Sequence, residues 1–164
     1  RRWDALLSPF LYIFYSIPKV VFLPVIIVVL GLGDFPKIFI IAITVFFQIA
    51  IMVRDAAKAI PEEQVMTMRS LCGTKWQDFR HLIWPACLPG ILTALRTSLG
   101  IALALLFITE TFAAFSGLGY FIMNRMEVRN YEEMYAAILT LAAIGIIAYM
   151  ALDIAERKLC PWKK

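Results

Sequence analysis

The 164-residue chain is 62% hydrophobic and only 17% charged, more apolar surface than a soluble domain of this size can hide in one core. Its formal net charge of +4 does not come from one basic stripe interleaved with aromatics, which argues against a nucleic-acid partner. The composition fits lipid as solvent and an all-α integral membrane fold, in which each span needs roughly 20 mostly apolar residues.

The chain opens with Arg1-Arg2-Trp3 close to a hydrophobic stretch and reads as part of a longer polypeptide whose true N-terminus is missing. Apolar runs recur to the end, so no single one reads as a cleaved signal peptide. Four stretches, at about 10–32, 36–53, 90–115 and 134–154, fit spanning helices, the second being the shortest. Short charged connections join them, without low-complexity runs or internal repeats, so residues 1–164 form one membrane domain. Pro18 and Pro24 should kink the first span and free carbonyls that need partners inside the bundle, either shaping a pore or serving packing alone. In the second span Gln48 and Thr44 either line a pathway or bond between helices.

Basic residues sort by connection. Arg54, Lys58, Arg69, Lys75 and Arg80 lie between the second and third spans, and Arg157, Lys158, Lys163 and Lys164 follow the last. Both regions are cytoplasmic by the positive-inside rule, which leaves Asp34, Lys37 and a mixed loop at 124–133 outside. Cys72, Cys87 and Cys160 then sit at or near the reducing side, with no two at redox or zinc spacing. His81 is the only histidine and has no ligand cluster beside it, so it reads as a polar loop residue.

The connection at about 54–85 is too long for a simple turn and should carry structure of its own. Pro61 fits a first helical position, Glu62 and Glu63 follow where the helix dipole favours negative charge, and Gly73 is placed to end the helix after Cys72. Thr74-Lys75-Trp76-Gln77 has the pattern of a capping box, which starts a second helix at Lys75. Pro85 and Pro89 then interrupt the backbone pattern and bend the chain into the membrane. On the first helix Val65, Met68 and Cys72 share one face and Met66 and Arg69 another. Either face suits a protein partner, and the first stripe equally suits packing under the spans. A hairpin tethered to the bilayer at both ends can hardly reach a DNA major groove.

In the third span Glu110 is read either as a pathway or gate residue or as a carboxylate reaching water at the outer mouth, because a mid-bilayer charge costs about 3 kcal/mol and is rarely left facing lipid. Arg96 should snorkel to the cytoplasmic interface or pair near the connection. Ser116 to Tyr120, with Gly117 and Gly119, should form a tight outer turn or short re-entrant piece. No Gly-x-x-x-x-Gly-Lys-Ser/Thr run is present to cradle ATP phosphates.

The cytoplasmic connection resembles the signature of bacterial ABC import permeases: Glu-Ala-Ala, three residues, Gly, nine residues, then Ile-x-Leu-Pro. Anchored on Pro85, Leu82 stands for the Ile, Trp84 for the Leu, Cys72 for the Gly, and Met66-Thr67-Met68 for Glu-Ala-Ala. Only the proline is retained, so no carboxylate stands at Met66, and docking would rest on Glu62, Glu63 and apolar area. Further blocks resemble the nitrate, sulfonate and taurine branch: Ser16-Ile17-Pro18-Lys19 through Phe22-Leu23-Pro24 and Gly31-Leu32-Gly33; Arg69-Ser70-Leu71 with Trp76-Gln77; Leu92 to Arg96; and Glu110 followed by Ser116 to Tyr120.

The resemblance implies the last four of six helices of a type I ABC importer permease core, with a cytoplasmic coupling-helix hairpin. It implies a bacterial inner-membrane subunit that binds no cofactor itself and is driven by partner ATPase subunits carrying ATP-Mg. A second permease subunit and an extracytoplasmic substrate-binding protein are the other partners implied. The site residues it implies are Glu62, Glu63, Val65, Met66, Thr67, Met68, Arg69, Cys72, Gly73, Trp76 and Pro85 for ATPase coupling; Pro18, Gln48 and Glu110 are candidates for the pathway, and Gly117 and Gly119 for the outer turn. A secondary transporter or channel fragment would share the spans and kinks, but would not need a structured basic cytoplasmic hairpin.

Overall fold

The computed structural model of the chain describes residues 2–70 and 74–162. The first span is a broken helix. Helix α1 (Arg2–Ser16) gives way to a single 3-10 turn (Lys19–Phe22) and α2 (Leu23–Leu30), and the axes of 8–16 and 19–30 differ by 68°. Pro18 is the cause: it has no N–H to donate and sits in extended geometry, at φ −71° and ψ 94°. Pro24 does not add a kink as expected. It falls in the first turn of α2, where its fixed φ is already helical and no donor is missed.

Gly31 and Gly33, at φ 81° and 145°, turn the chain into α3 (Asp34–Lys58). This helix of 25 residues runs beyond the apolar stretch at both ends, with Asp34 in its first turn and Lys58 in its last, as the dipole favours. The connection that follows carries α4 (Glu62–Ser70), α5 (Lys75–Asp78) and a π-helical turn at Phe79–Ile83, and leads into α6 (Trp84–Ala113). Helices α7 (Leu118–Glu127) and α8 (Tyr131–Leu159) complete the bundle. Helix α3, residues 75–112 and α8 are each long and apolar enough to cross a membrane, and the bent 8–30 pair supplies a fourth crossing if it counts as one span.

The core lies where α3 crosses α6. Ile40 and Ala94 are fully shielded, with Phe47, Leu92, Ser98 and Leu105 buried around them. Phe14 of α1 stacks on Phe47 with ring centroids 5.6 Å apart, holding the broken span against the pair. Gly90 permits the close approach, since a Cβ there would lie 2.7 Å from Ala56 Cβ. Gly90→Val is therefore expected to force α3 and α6 apart and destabilise the bundle by about 2 kcal/mol. Gly100→Ala, where a Cβ meets nothing within 4 Å, should be neutral in the same detergent melting assay.

Two further expectations change. The mixed segment 124–133 is not a loop: α7 runs to Glu127, and only Val128 to Asn130 turn, with Arg129 at φ 58° and the Asn130 side chain accepting from the Glu133 N–H. The prolines do not break the chain before the third span either, and residues 75–112 form one long helical span. The π-turn is the reason. Its wider ring, closed by the Trp84 N–H donating to the Phe79 carbonyl five residues back, provides slack beside Pro85, which sits in the first turn of α6.

Candidate functional site: coupling segment and outer latch

Helix α4 begins where Glu62 and Glu63 meet its N-terminus, with the Pro61 carbonyl accepting from the Gln64 N–H. Val65 and Met68 are half-buried toward the π-turn, whereas Met66 projects with 61% of its surface exposed and Thr67 beside it is open. The two faces therefore divide. Val65 and Met68 lie on the less exposed side of α4 and Met66 on the more exposed one. Cys72 and Gly73 lie outside the described residues, as does the side chain of Arg69.

The second helix of the connection starts at Lys75 on the capping box that the sequence predicts. Thr74 Oγ1 accepts from the Gln77 N–H, and Gln77 Oε1 accepts from the Thr74 N–H at 2.8 Å. Trp76 is 66% exposed and stacks on Phe79, centroids 5.8 Å apart, which in turn tilts against Trp84 at 6.2 Å. The three rings form a partly exposed aromatic strip on the connection. Behind it, a cavity of about 520 Å³ lies between the end of α3 and the π-turn, with Gln64, His81, Pro85 and Trp162 among its walls. His81 is exposed on that turn. Among the described residues no three His, Cys, Asp or Glu side chains converge as a metal site.

At the other end of α6, Glu110 is 91% shielded and its Oε2 accepts from the Gly119 N–H at 2.7 Å. A carboxylate at the start of α7 sits where unpaired N–H groups and the helix dipole favour it. The glycines make room for it. A Cβ on Gly117 would fall on the Glu110 carboxylate, and one on Gly119 would lie 2.9 Å from both Glu110 Cβ and the Phe107 carbonyl. Gly117 also holds φ 116° as the N-cap of α7. Glu110 is therefore a latch between α6 and α7, and it does not reach water at the mouth.

The chain matches the model of binding-protein-dependent transport system inner membrane components over residues 1–161. It belongs to that family. Among curated relatives it is 28% identical to the taurine transport system permease protein TauC of Escherichia coli, over 96% of this chain and 58% of that protein. It is 29% identical to the putative aliphatic sulfonates transport permease protein SsuC of Bacillus subtilis, over 99% of this chain and 59% of that protein. The chain thus spans about three-fifths of the relatives it matches. Its fold is that of type I ABC importer permeases: an inward-facing structure of the MetNI methionine ABC transporter superposes with a TM-score of 0.81 at 23% identity, covering 96% of this chain and 76% of that one.

Within this inner-membrane family frame the candidate residues fall into separate places. Glu62, Glu63, Met66, Thr67 and Trp76 lie on the exposed surface of the connection, and Pro85 lies at its junction with α6. Pro18 and Gln48 line one cavity of about 230 Å³, together with Lys19 and Thr44. Glu110 is not part of it. Three features escaped sequence reading. Arg96 of α6 was expected to snorkel or pair near the connection, but its partners on α8, Asp153 at 2.9 Å and Glu156 at 2.6 Å, were not foreseen, and the two acids three residues apart near the end of the last helix were the signal for them. Trp76 and Phe79, three apart, meet as helical neighbours, and Trp84, five residues beyond Phe79, comes within 6.2 Å of it across the π-turn. Lys19 caps the broken span, which no pattern in the chain announces.

Proposed function

We propose that this chain belongs to the permease subunit of an ATP-driven importer, carrying a small anionic solute such as a sulfonate or nitrate across the inner membrane. The observation that carries the reading is the connection between α3 and α6. It carries two helices, the first with Glu62 and Glu63 in its first turn and the second started by the Thr74 capping box, and it exposes Met66, Trp76 and Trp84 in the stretch that resembles the family's ATPase-docking motif. Uncoupled loops have no need of that order.

In this mechanism a pair of partner ATPase subunits binds ATP-Mg and closes, and the α4 hairpin transmits the movement to the long 75–112 helix that continues from it. A second permease subunit completes the pathway, and a separate binding protein delivers solute at the outer face around Gly117 and Gly119. The connection and the C-terminus face the cytoplasm. Contact with the ATPase is mainly apolar at Met66 and Trp76, with Glu62 and Glu63 at the rim; Val65 and Met68 hold the hairpin in place.

Cross-linking tests this directly. With Cys72, Cys87 and Cys160 replaced, Met66→Cys in the complete subunit is expected to form a disulfide with single cysteines in the surface groove of the co-expressed ATPase, at a rate that changes with ATP. Absence of both cross-link and co-purification would remove the ATPase-coupled reading and favour a channel or secondary transporter.

A further inference from the structure

The break in the first span places a cation in an unusual setting. Lys19 lies near the middle of the 8–30 bent pair, and its Nζ donates to the carbonyls of Phe14 at 2.7 Å and Ile17 at 3.3 Å, freed where Pro18 ends α1. The same ammonium stands 5.2 Å from the centre of the Phe47 ring. These partners are neutral. Among the described residues no carboxylate pairs with Lys19, in contrast with Lys37, Arg96 and Arg125, each of which has one. An uncompensated positive charge at that depth is costly against lipid, so the face it occupies belongs to protein or water.

The surroundings of Lys19 are polar on one side only. Thr44 and Gln48 of α3, one helical turn apart, line the same cavity of about 230 Å³, closed on its far side by Ile101 and Leu105 of α6. Gln48 is 91% shielded, an amide kept inside a hydrophobic bundle and turned to this cavity. A fixed cation, an amide and a hydroxyl around a space of a few atoms make a weak site for a singly charged oxyanion, weak because the ammonium is already shared with carbonyls. Conduction needs that weakness, since a permeant must leave as well as enter.

We propose that Lys19, with Gln48 and Thr44, is the charge-selecting contact of the translocation pathway, through which anionic solute passes at the break of the first span. This rests on the transport reading above and specifies its anion selectivity. Lys19 thus has two tasks: it closes the carbonyl end of α1 and presents the positive field that favours anions over cations.

The test measures that field without knowing the solute. In the complete subunit assembled with its partners, and with Cys72, Cys87 and Cys160 replaced, Thr44→Cys is labelled with a negatively charged sulfonatoethyl and a positively charged trimethylammonioethyl methanethiosulfonate. Each rate is divided by that of the neutral methyl reagent. With Lys19 present the anionic reagent should be favoured over the cationic one by about tenfold. Lys19→Gln should bring the ratio near one, and Lys19→Arg should keep it. Normalisation to the neutral reagent separates a lost field from a distorted span. An unchanged ratio in Lys19→Gln would make Lys19 a helix cap alone, and a thiol that only the neutral, membrane-permeant reagent reaches would show that the cavity is not on an aqueous path. Either result overturns the proposal, and neither depends on whether Met66→Cys cross-links to an ATPase.

Discussion

Arg96→Met is expected to lower the stability of the bundle by about 3 kcal/mol, read as a drop in the detergent melting midpoint of the complete subunit. Arg96 is the pin between α6 and α8. Its Nη2 meets Asp153 at 2.9 Å and Glu156 at 2.6 Å, and its guanidinium lies 5.1 Å from the centre of the Tyr149 ring. Removing it takes the guanidinium away from two carboxylates whose side chains are only 31% and 12% exposed, with Arg157 left to hold Asp153 at 2.8 Å. The cost comes from negative charge left under-compensated in a partly buried cluster more than from the lost attraction. Glu156→Gln in the Arg96→Met background should therefore restore much of the midpoint, although Glu156→Gln alone is destabilising. Such a sign reversal is the signature of a coupled pair. Equal midpoints for wild type and Arg96→Met would mean that the cluster is solvated and that α8 is held by apolar packing alone.

The second large effect belongs to the outer latch. Gly117→Val places a branched side chain where the Glu110 carboxylate sits and at φ 116°, a conformation that β-branched residues avoid. Backbone strain and overpacking each cost about 1–3 kcal/mol, and here they combine. Loss of α7 docking should follow, seen as faster amide exchange across 118–127 while α3 remains protected. Gly117→Ala with Glu110→Ala dissects the two terms. The double variant frees the space but keeps the positive φ and leaves the Gly119 N–H without its acceptor, so it should recover only part of the loss. Full recovery would make steric conflict the whole effect. On the transport reading proposed above, solute delivery should fail in Gly117→Val before ATPase docking does, because α7 and α4 lie at opposite ends of α6.

How the site divides between sequence and structure follows from the range of the interactions. The capping box at Thr74 and Gln77 and the helix start at Lys75 are local, decided by residues three apart, and they were legible without a fold. So was the break at Pro18, because a missing donor acts on its own helix. Pro85 was misread as an interruption, because a π-turn depends on packing of the Phe79 and Trp84 region that no local rule contains. Glu110 illustrates the same limit. A lone carboxylate in an apolar run marks a special residue, but whether it faces a pathway, water or a neighbouring amide depends on where α7 returns.

The sequence by itself determined that the chain is a membrane protein of apolar helices and that the connection ahead of the 75–112 helix carries helices of its own, since composition, run length and capping are properties of adjacent residues. Only the tertiary structure decided which polar groups meet: Arg96 with Asp153 and Glu156, Glu110 with Gly119, and Lys19 with Gln48 and Thr44 around one cavity. Those partners are separated along the chain and are brought together by the crossing of helices, whose angles are set by close contacts such as Gly90 against Ala56.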